Sequence, residues 1–316
     1  MTSLWSRRGV LGGMGAAGLL AATPRMVAAA PARHERFSFL FMTDTHLEPE
    51  LNAAGGCAQC FRHARAIPAD FVIQGGDHVY DALGVGRPRA SQLIDLYTRT
   101  EQDLGRQVHH TIGNHDCFGV LPASGVARSD PWYGKKFFEA QFGALYYAFD
   151  HRGVHFVVLD SIGFTTDPRT GAHDYEGRID AAQLAWLAAD LAALRPGTPV
   201  VVITHIPLVT AFASYVTEDP AHPIPPHKTS VANAPEVLAL LRGHTVLGVL
   251  QGHTHINETV WWQGVPFITS GAVSGNWWHG TRLGTPEGFS VVEVAENRLN
   301  VRYETYGFHS VAPRNT

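Results

Sequence analysis

The chain is 316 residues long, 45% apolar and 16% charged, with 24 Lys and Arg against 28 Asp and Glu and a formal net charge of −4. That length suits one large domain with a sizeable core. No basic run or stripe lies beyond the N-terminal segment, which argues against duplex nucleic acid as a partner.

The first 32 residues read as an address rather than as part of the fold. Ser6-Arg7-Arg8-Gly9-Val10-Leu11 is a twin-arginine pattern, followed by a weakly apolar Gly/Ala segment to Ala22. That segment is too short to span a bilayer, which takes about 20 apolar residues. Arg25 precedes the small residues Ala30-Pro31-Ala32 that a signal peptidase accepts. Cleavage is expected after Ala32, with Ala29 and Ala30 as alternatives, giving a signal peptide at 1–32 and a mature domain at 33–316. The expected partner of the precursor is the twin-arginine export machinery, and the expected location is periplasmic or secreted. The competing reading is a cytoplasmic protein with a disordered basic tail. Cleavage removes Arg7, Arg8 and Arg25 and no acid, which takes the formal charge to −7.

Along the mature chain, apolar runs at Phe37 to Met42, Phe71 to Gln74, Val108 to Ile112, Val200 to Thr204 and Val246 to Leu250 read as strands. Cys57 to Ile67, Ser91 to Leu104 and Lys135 to Phe142 read as helices. Leu145 to Phe149 and Val154 to Asp160 form a hairpin around Asp150-His151-Arg152-Gly153. Asp180 is the expected N-cap of an amphipathic helix carrying Leu184, Leu187, Leu191 and Leu194, stopped by Pro196-Gly197. Asn233 is expected to cap a helix that ends near Arg242. From Thr259 to Tyr303 the chain reads as short strands with turns at Gln263-Gly264 and Glu296-Asn297. Pattern alone gives only α/β with a β-rich end.

Two segments read as ligand-facing loops. Thr210 to Val231 carries Pro220, Pro223, Pro225 and Pro226 with His222 and His227, and lacks periodicity; a disordered insertion is the alternative. Gly271 to His279 follows a strand and offers Trp277 and Trp278, one for stacking on a ligand and one for the core. Of the cysteines, Cys57 and Cys60 form a CxxC with no second pair for zinc, so a structural or incidental role is expected for them and for Cys117, with a local disulfide or redox pair as the alternative.

Five short blocks follow the strand-like runs: Asp44-Thr45-His46, Gly75-Gly76-Asp77, Gly113-Asn114-His115-Asp116, a lone His205, and Gly252-His253-Thr254-His255. Donors at the carboxyl ends of neighbouring strands can converge on one point. Mixed imidazole, carboxylate and amide donors suit first-row cations such as Zn, Fe, Mn, Co or Ni rather than Ca. A single structural zinc is the plainer alternative, but such sites are usually closed and Cys-rich.

The order D-x-H, G-D, G-N-H-D, H, G-H-x-H resembles the calcineurin-like metallophosphoesterases, and the resemblance runs from about Phe37 to Tyr303. It implies a four-layer α/β/β/α sandwich with two mixed β-sheets, and a metal-dependent phosphoric ester hydrolase acting on a small phosphorylated substrate. It also implies two metals. One takes Asp44, His46 and His255, the other Asn114, His205 and His253, with Asp77 bridging, and a hydroxide shared between them is the expected nucleophile. His115 is the expected general acid, and Asp116 its expected orienting partner. After the bridging Asp, calcineurin-type protein phosphatases carry G-D-x-x-D-R-G, whereas this chain has Tyr80 and Asp81 in the D and R places. Purple acid phosphatases have a ligating Tyr at that place but Gly where this chain has His46, so Tyr80 is expected not to be a ligand. The D-x-H start and G-H-x-H end are most similar to bacterial cyclic-nucleotide phosphodiesterases. A diester carries less charge and needs no Arg clamp, which puts phosphodiester hydrolysis ahead of monoester hydrolysis; Arg62, Arg65 and Arg128 are the arginines that could still approach. A non-catalytic metal-binding protein on the same fold is the competing class, and it has no use for His115.

Overall fold

Strand β1 (Phe37–Met42) sets the layering. Phe37, Phe39 and Phe41 point to one face, Leu40 and Met42 to the other, and both faces are buried. Alternation with apolar residues on both sides means a strand inside a sandwich rather than on a half-solvated sheet. The computed structural model describes residues 35–216 and 224–314. The twin-arginine segment and its expected cleavage site lie outside the described residues, as do Pro220, His222 and Pro223 of the proline-rich loop.

After β1 come α1 (Ala53–Arg65), β2 (Val72–Gln74), α2 (Arg87–Glu101), β3 (Val108–His110), α3 (Lys136–Phe142), β4 (Tyr147–His151) and β5 (Val154–Leu159). A hairpin of β6 (Ile162–Thr166) and β7 (His173–Gly177) leads to α4 (Ala181–Ala193) and β8 (Pro199–Thr204). The short α5 (Pro226–Thr229), α6 (Ala234–Leu241), β9 (Thr245–Gln251), β10 (Glu258–Trp262), β11 (Val265–Thr269), β12 (Gly288–Ala295) and β13 (Arg298–Thr305) complete the described chain. One sheet has the order β13-β12-β1-β2-β3, the other β10-β11-β9-β8-β5-β4. In the first, β1, β2 and β3 are parallel and antiparallel pairings to β12 and β13 extend one side; in the second, β11, β9, β8 and β5 are parallel and β10 and β4 flank them antiparallel, so both sheets are mixed.

Three hydrophobic clusters separate four layers, in agreement with the α/β/β/α expectation. Phe39, Phe41, Ile73, Phe156, Val201 and Ile203 fill the space between the sheets. Leu40, Phe61, Leu93 and Tyr97 join the first sheet to α1 and α2. Val157, Val202, Leu187 and Val237 join the second sheet to α4 and α6. Among the described residues, no helix is long and apolar enough to cross a membrane.

Several local expectations shift. Helix α1 begins at Ala53, not Cys57, and runs through Gly55-Gly56, which in sequence look like a turn. Gly56 is there because a Cβ would stand 2.5 Å from the Trp278 ring. Helix α2 starts at Arg87 with Pro88 in its first turn, a position where proline's missing N–H costs nothing. Asp180 caps α4 as expected, accepting from Gln183 N at 2.8 Å. Asn233 does not cap α6; its side chain brackets Ile179, accepting from the Ile179 N–H at 3.1 Å and donating to its carbonyl at 2.9 Å. The β6–β7 hairpin was not anticipated. Cys57, Cys60 and Cys117 are free thiols buried in the core, so the disulfide alternative does not hold.

Candidate metal centre

The parallel strands β1, β2, β3, β8 and β9 end level with one another, and the five blocks leave them at that edge. Leaving the sheet requires sharp turns. Asp44, His46, Asp77, His253 and His255 all adopt left-handed backbone angles, with φ of 55°, 42°, 55°, 73° and 61°. Such residues cost on the order of 1–3 kcal/mol each and persist only where surrounding contacts impose them. Here the turns are laced together: Asp44 N donates to Gly76 O at 2.9 Å, His46 N to Asp77 O at 3.0 Å, and Gly252 N to His205 O at 3.0 Å. Two glycines permit the approach. A Cβ on Gly113 would lie 2.1 Å from Asp77 Oδ1, and one on Gly252 would lie 2.2 Å from Thr43 Oγ1.

All seven expected donors converge. His46 Nε2 and His255 Nε2 are 3.0 Å apart. Asp44 Oδ1 lies 3.3 Å from His255 Nε2 and 3.8 Å from His46 Nε2. Asp77 Oδ2 lies 3.2 Å from His205 Nε2 and 3.6 Å from His46 Nε2, between the two groups. Two donors each about 2.0–2.2 Å from a shared cation lie roughly 3–3.6 Å from each other, which is the spacing seen. Asp44 with His46 and His255, and Asp77 with His205 and His253, could each hold an ion.

The hydrogen bonds around these side chains leave one donor atom of each turned inward. Asp44 Oδ2 accepts from Thr43 Oγ1 at 2.7 Å and from His253 N at 2.9 Å, while its buried Oδ1 has no partner. Asp77 Oδ1 accepts from His115 N at 2.8 Å, which leaves Oδ2 to the imidazoles. His205 Nδ1 donates to Gly75 O at 2.9 Å, and its buried Nε2 has no hydrogen-bond partner. His255 Nδ1 donates to Gly275 O at 2.6 Å, so its Nε2 lone pair faces that of His46, whose Nδ1 faces Tyr80 O. Two facing lone pairs repel unless a positive charge lies beside them. His253 differs: its Nε2 donates to Lys228 O at 2.6 Å, which frees Nδ1. The buried Asn114 Oδ1 lacks a partner too. Carbonyl contacts of this kind fix the tautomer that binds a metal, and the orphaned atoms fit a cation pair.

Charge in the cleft follows from burial and proximity. Burial alone would raise Asp44 and Asp77, but the surrounding histidines, chiefly His255 and His205, outweigh it and hold both carboxyls far below the usual range. Burial opposes a charge on His205, yet Asp77 and Asp44 push it up to about 9, so a metal there competes with a proton. Burial and the neighbouring His205 pull His253 down to about 4, and burial pulls His46 down as well.

His115 lines the same cleft and packs edge-on to His46, with ring centroids 4.9 Å apart. It is close enough to His46 and Asp77 to share a cation with them. Its Nδ1 faces Asp81 Oδ1 at 3.4 Å. Asp116 does not take the part expected of it. Its Oδ2 accepts from the backbone N–H groups of Asp77 and Gly113 and lies 2.9 Å from His78 Nδ1, while Oδ1 accepts from His78 N, each at 2.9 Å. The residue therefore staples the second and third blocks together, and Asp81 supplies the carboxylate beside His115. The protein-phosphatase pattern puts an acid one position earlier, where this chain has Tyr80. Tyr80 itself is 38% exposed and does not line the cleft.

The walls of the cleft, about 160 Å³, come from both loops singled out in the sequence: Phe212, Ile224, Lys228 and Thr229 from one, Trp277 from the other. Trp277 stacks near His255, at 4.2 Å between centroids, while Trp278 is fully buried and donates Nε1–H to His46 O at 2.9 Å. Arg62 pairs with Asp103, Arg65 packs beside Gly105, and Arg128 meets His173; none of the three lines the cleft. Arg282 does, and the sequence reading missed it, since a lone arginine in a turn carries no pattern.

The calcineurin-like phosphoesterase pattern matches residues 37–257. No curated protein matches the sequence. Among solved structures, a dimetal phosphatase from Danio rerio is similar at 18% identity and TM-score 0.58, over 86% of this chain and 96% of that one. A purple acid phosphatase from yellow lupin seeds is similar at 14% identity and TM-score 0.54, over 88% of this chain and 52% of that one. PhoD is similar at 14% identity and TM-score 0.54, over 90% and 73%. At these identities the structures speak to the fold alone. The family match spans more than half of the chain and both ends of the converging donor set, and with it the chain belongs to the calcineurin-like phosphoesterases, as a metal-dependent phosphoric ester hydrolase.

Proposed function

We propose that the protein hydrolyses a small phosphate ester at a two-metal centre held by Asp44, His46 and His255 on one side and Asn114, His205 and His253 on the other, with Asp77 between. The observation that carries this is the pair of buried atoms Asp44 Oδ1 and His205 Nε2, 3.9 Å apart beside Asp77 and without hydrogen-bond partners, with the equally unpartnered Oδ1 of Asn114 in the lining of the same cleft. When bound, a pair of first-row ions supplies Lewis acidity and lowers the pKa of water. The chain does the rest. Asp44, Asp77 and the four histidines are rigidly oriented by backbone contacts, so little reorganisation is needed. Phe212, Ile224 and Trp277 narrow the cleft and exclude bulk water from part of it. His115 gives a proton to the leaving oxygen. Burial works against its charged form, but Asp77 and Asp81 raise its affinity for the proton, with Asp81 Oδ1 3.4 Å from Nδ1.

The similarity of the D-x-H and G-H-x-H blocks to cyclic-nucleotide phosphodiesterases favours diesters, whereas Arg282 in the cleft wall weakens the argument from a missing arginine clamp. We further propose that residues 1–32 direct twin-arginine export to the periplasm or medium.

The test combines metal analysis with turnover of aryl and alkyl phosphate esters, using Zn, Fe, Mn, Co and Ni in turn. His115→Ala should keep both metals and lose about 10²–10⁴-fold on an alkyl ester but much less on a nitrophenyl ester, whose leaving group needs no proton. Asp81→Asn should follow the same pattern with a smaller loss. Metal loss in His115→Ala, or equal losses on the two esters, would assign His115 to the ligand set instead.

A further inference from the structure

One cation in the cleft, Arg282, has no carboxylate partner among the described residues. Arg282 opens a tight turn through Leu283 and Gly284, closed by two 2.8 Å hydrogen bonds between the backbones of Arg282 and Thr285. Leu283 and Gly284 have φ of 46° and 77°, as a primed two-residue turn requires, so the root of the side chain is fixed. The guanidinium carbon lies 5.4 Å from the Trp277 ring centroid, beside the ring that packs on His255. Nε is buried and has no hydrogen-bond partner among the described residues. Burial lowers its affinity for the proton, and no acid among the described residues opposes that. Lys228, the other cation in the cleft wall, is already committed: its Nζ lies 2.5 Å from Asp174 and 2.6 Å from Tyr175 O.

A partly buried guanidinium that has an aromatic face beside it but no acid among the described residues, and whose buried Nε lacks a hydrogen bond, gains by taking an anion. Its planar array of donors matches the oxygens of a phosphoryl group better than any neutral ligand. We propose that Arg282 is a specificity residue for phosphomonoesters: its guanidinium takes oxygens of the dianionic phosphoryl group, while the alcohol part lies against Phe212 and Ile224. The extra negative charge of a monoester over a diester is what an unpaired cation beside the metals would reward. The inference rests on the hydrolase reading above and names the substrate class of the same cleft.

The experiment uses the metal-loaded enzyme and its Arg282→Gln and Arg282→Lys variants, matched for metal content and melting temperature. Each is titrated calorimetrically with inorganic phosphate and assayed on 4-nitrophenyl phosphate and bis(4-nitrophenyl) phosphate. Arg282→Gln should bind phosphate about 10- to 100-fold more weakly, the loss of a charge-assisted contact, and Arg282→Lys should recover part of it. Monoester kcat/KM should fall at least about tenfold further than diester kcat/KM. Phosphate affinity within twofold of wild type, or equal losses on the two esters, would overturn the proposal. Should Arg282→Gln fail to fold, the lysine variant decides, since a point charge cannot reproduce a two-pronged contact and should weaken phosphate about fivefold. Wild-type enzyme that turns over neither ester would tell against the hydrolase reading, and the phosphate titration would still decide the role of Arg282.

Discussion

Replacing Asp116 by Ala should dismantle the metal centre without removing any of its donors. The Asp116 carboxylate accepts from three backbone N–H groups, those of Asp77, His78 and Gly113, and contacts His78 Nδ1, all at 2.9 Å. It is 2% exposed, so water does not reach these groups in its place. Each buried donor left unsatisfied costs about 1–3 kcal/mol. Water entering the small void would satisfy part of the set, which brings the total to about 3–5 kcal/mol. That is a large share of the roughly 5–15 kcal/mol that holds a domain together, and it lowers the melting temperature by about 8–15 °C. Asp116→Asn keeps one accepting oxygen but sets its NH₂ against backbone donors, so it should lose somewhat less, about 2–4 kcal/mol. The damage falls on the turns that carry Asp77 and Asn114, and weaker metal binding should accompany the lost stability. Thermal melting and metal titration of both variants provide the assay. An Asp116→Ala protein within 1 kcal/mol of wild type, or one that binds both metals with unchanged affinity, would refute the stapling role.

His110 offers a stability test remote from the metal donors. Burial, with His78 and His109 nearby, depresses it to about 2, so it stays neutral when folded and takes a proton on unfolding below its ordinary value near 6.5. Its contribution is complete above pH 6.5 and is lost at up to about 1.4 kcal/mol per pH unit as the pH falls towards 2; His110→Gln should flatten that limb in denaturant melts, and an unchanged slope would reject the assignment. Tyr80 lies among Glu48, Asp81 and Glu50, and burial together with those acids raises its pKa, which keeps the phenol protonated. Iron-loaded protein should therefore be nearly colourless and Tyr80→Phe should keep both metals; a purple protein that bleaches in Tyr80→Phe would make Tyr80 a ligand.

The donor residues and the sheet-forming runs were legible in the sequence because both are local patterns. Apolar runs such as Phe37 to Met42 and Val200 to Thr204 read as buried strands, and an Asp, Asn or His just after such a run, behind glycine at Asp77, Asn114 and His253, marks a candidate ligand turn. Helix ends were less legible. Gly56 sits inside α1 because Trp278, more than 200 residues away, leaves no room for a side chain, and nothing local announces that. Tertiary structure alone decided which acid serves which group. Asp116 neighbours His115 in sequence, but the short helical turn at Asn114–Asp116 sends it inward to the amides of Asp77, His78 and Gly113, while Asp81 arrives beside His115 from another loop. Arg282 became visible for the same reason. A charge acquires a role from what surrounds it, and its surroundings here come from elements scattered along the chain. Sequence fixes the kinds of donor and the order in which strands present them; burial, backbone strain and the pairing of charges exist only once the sheets have closed over one another.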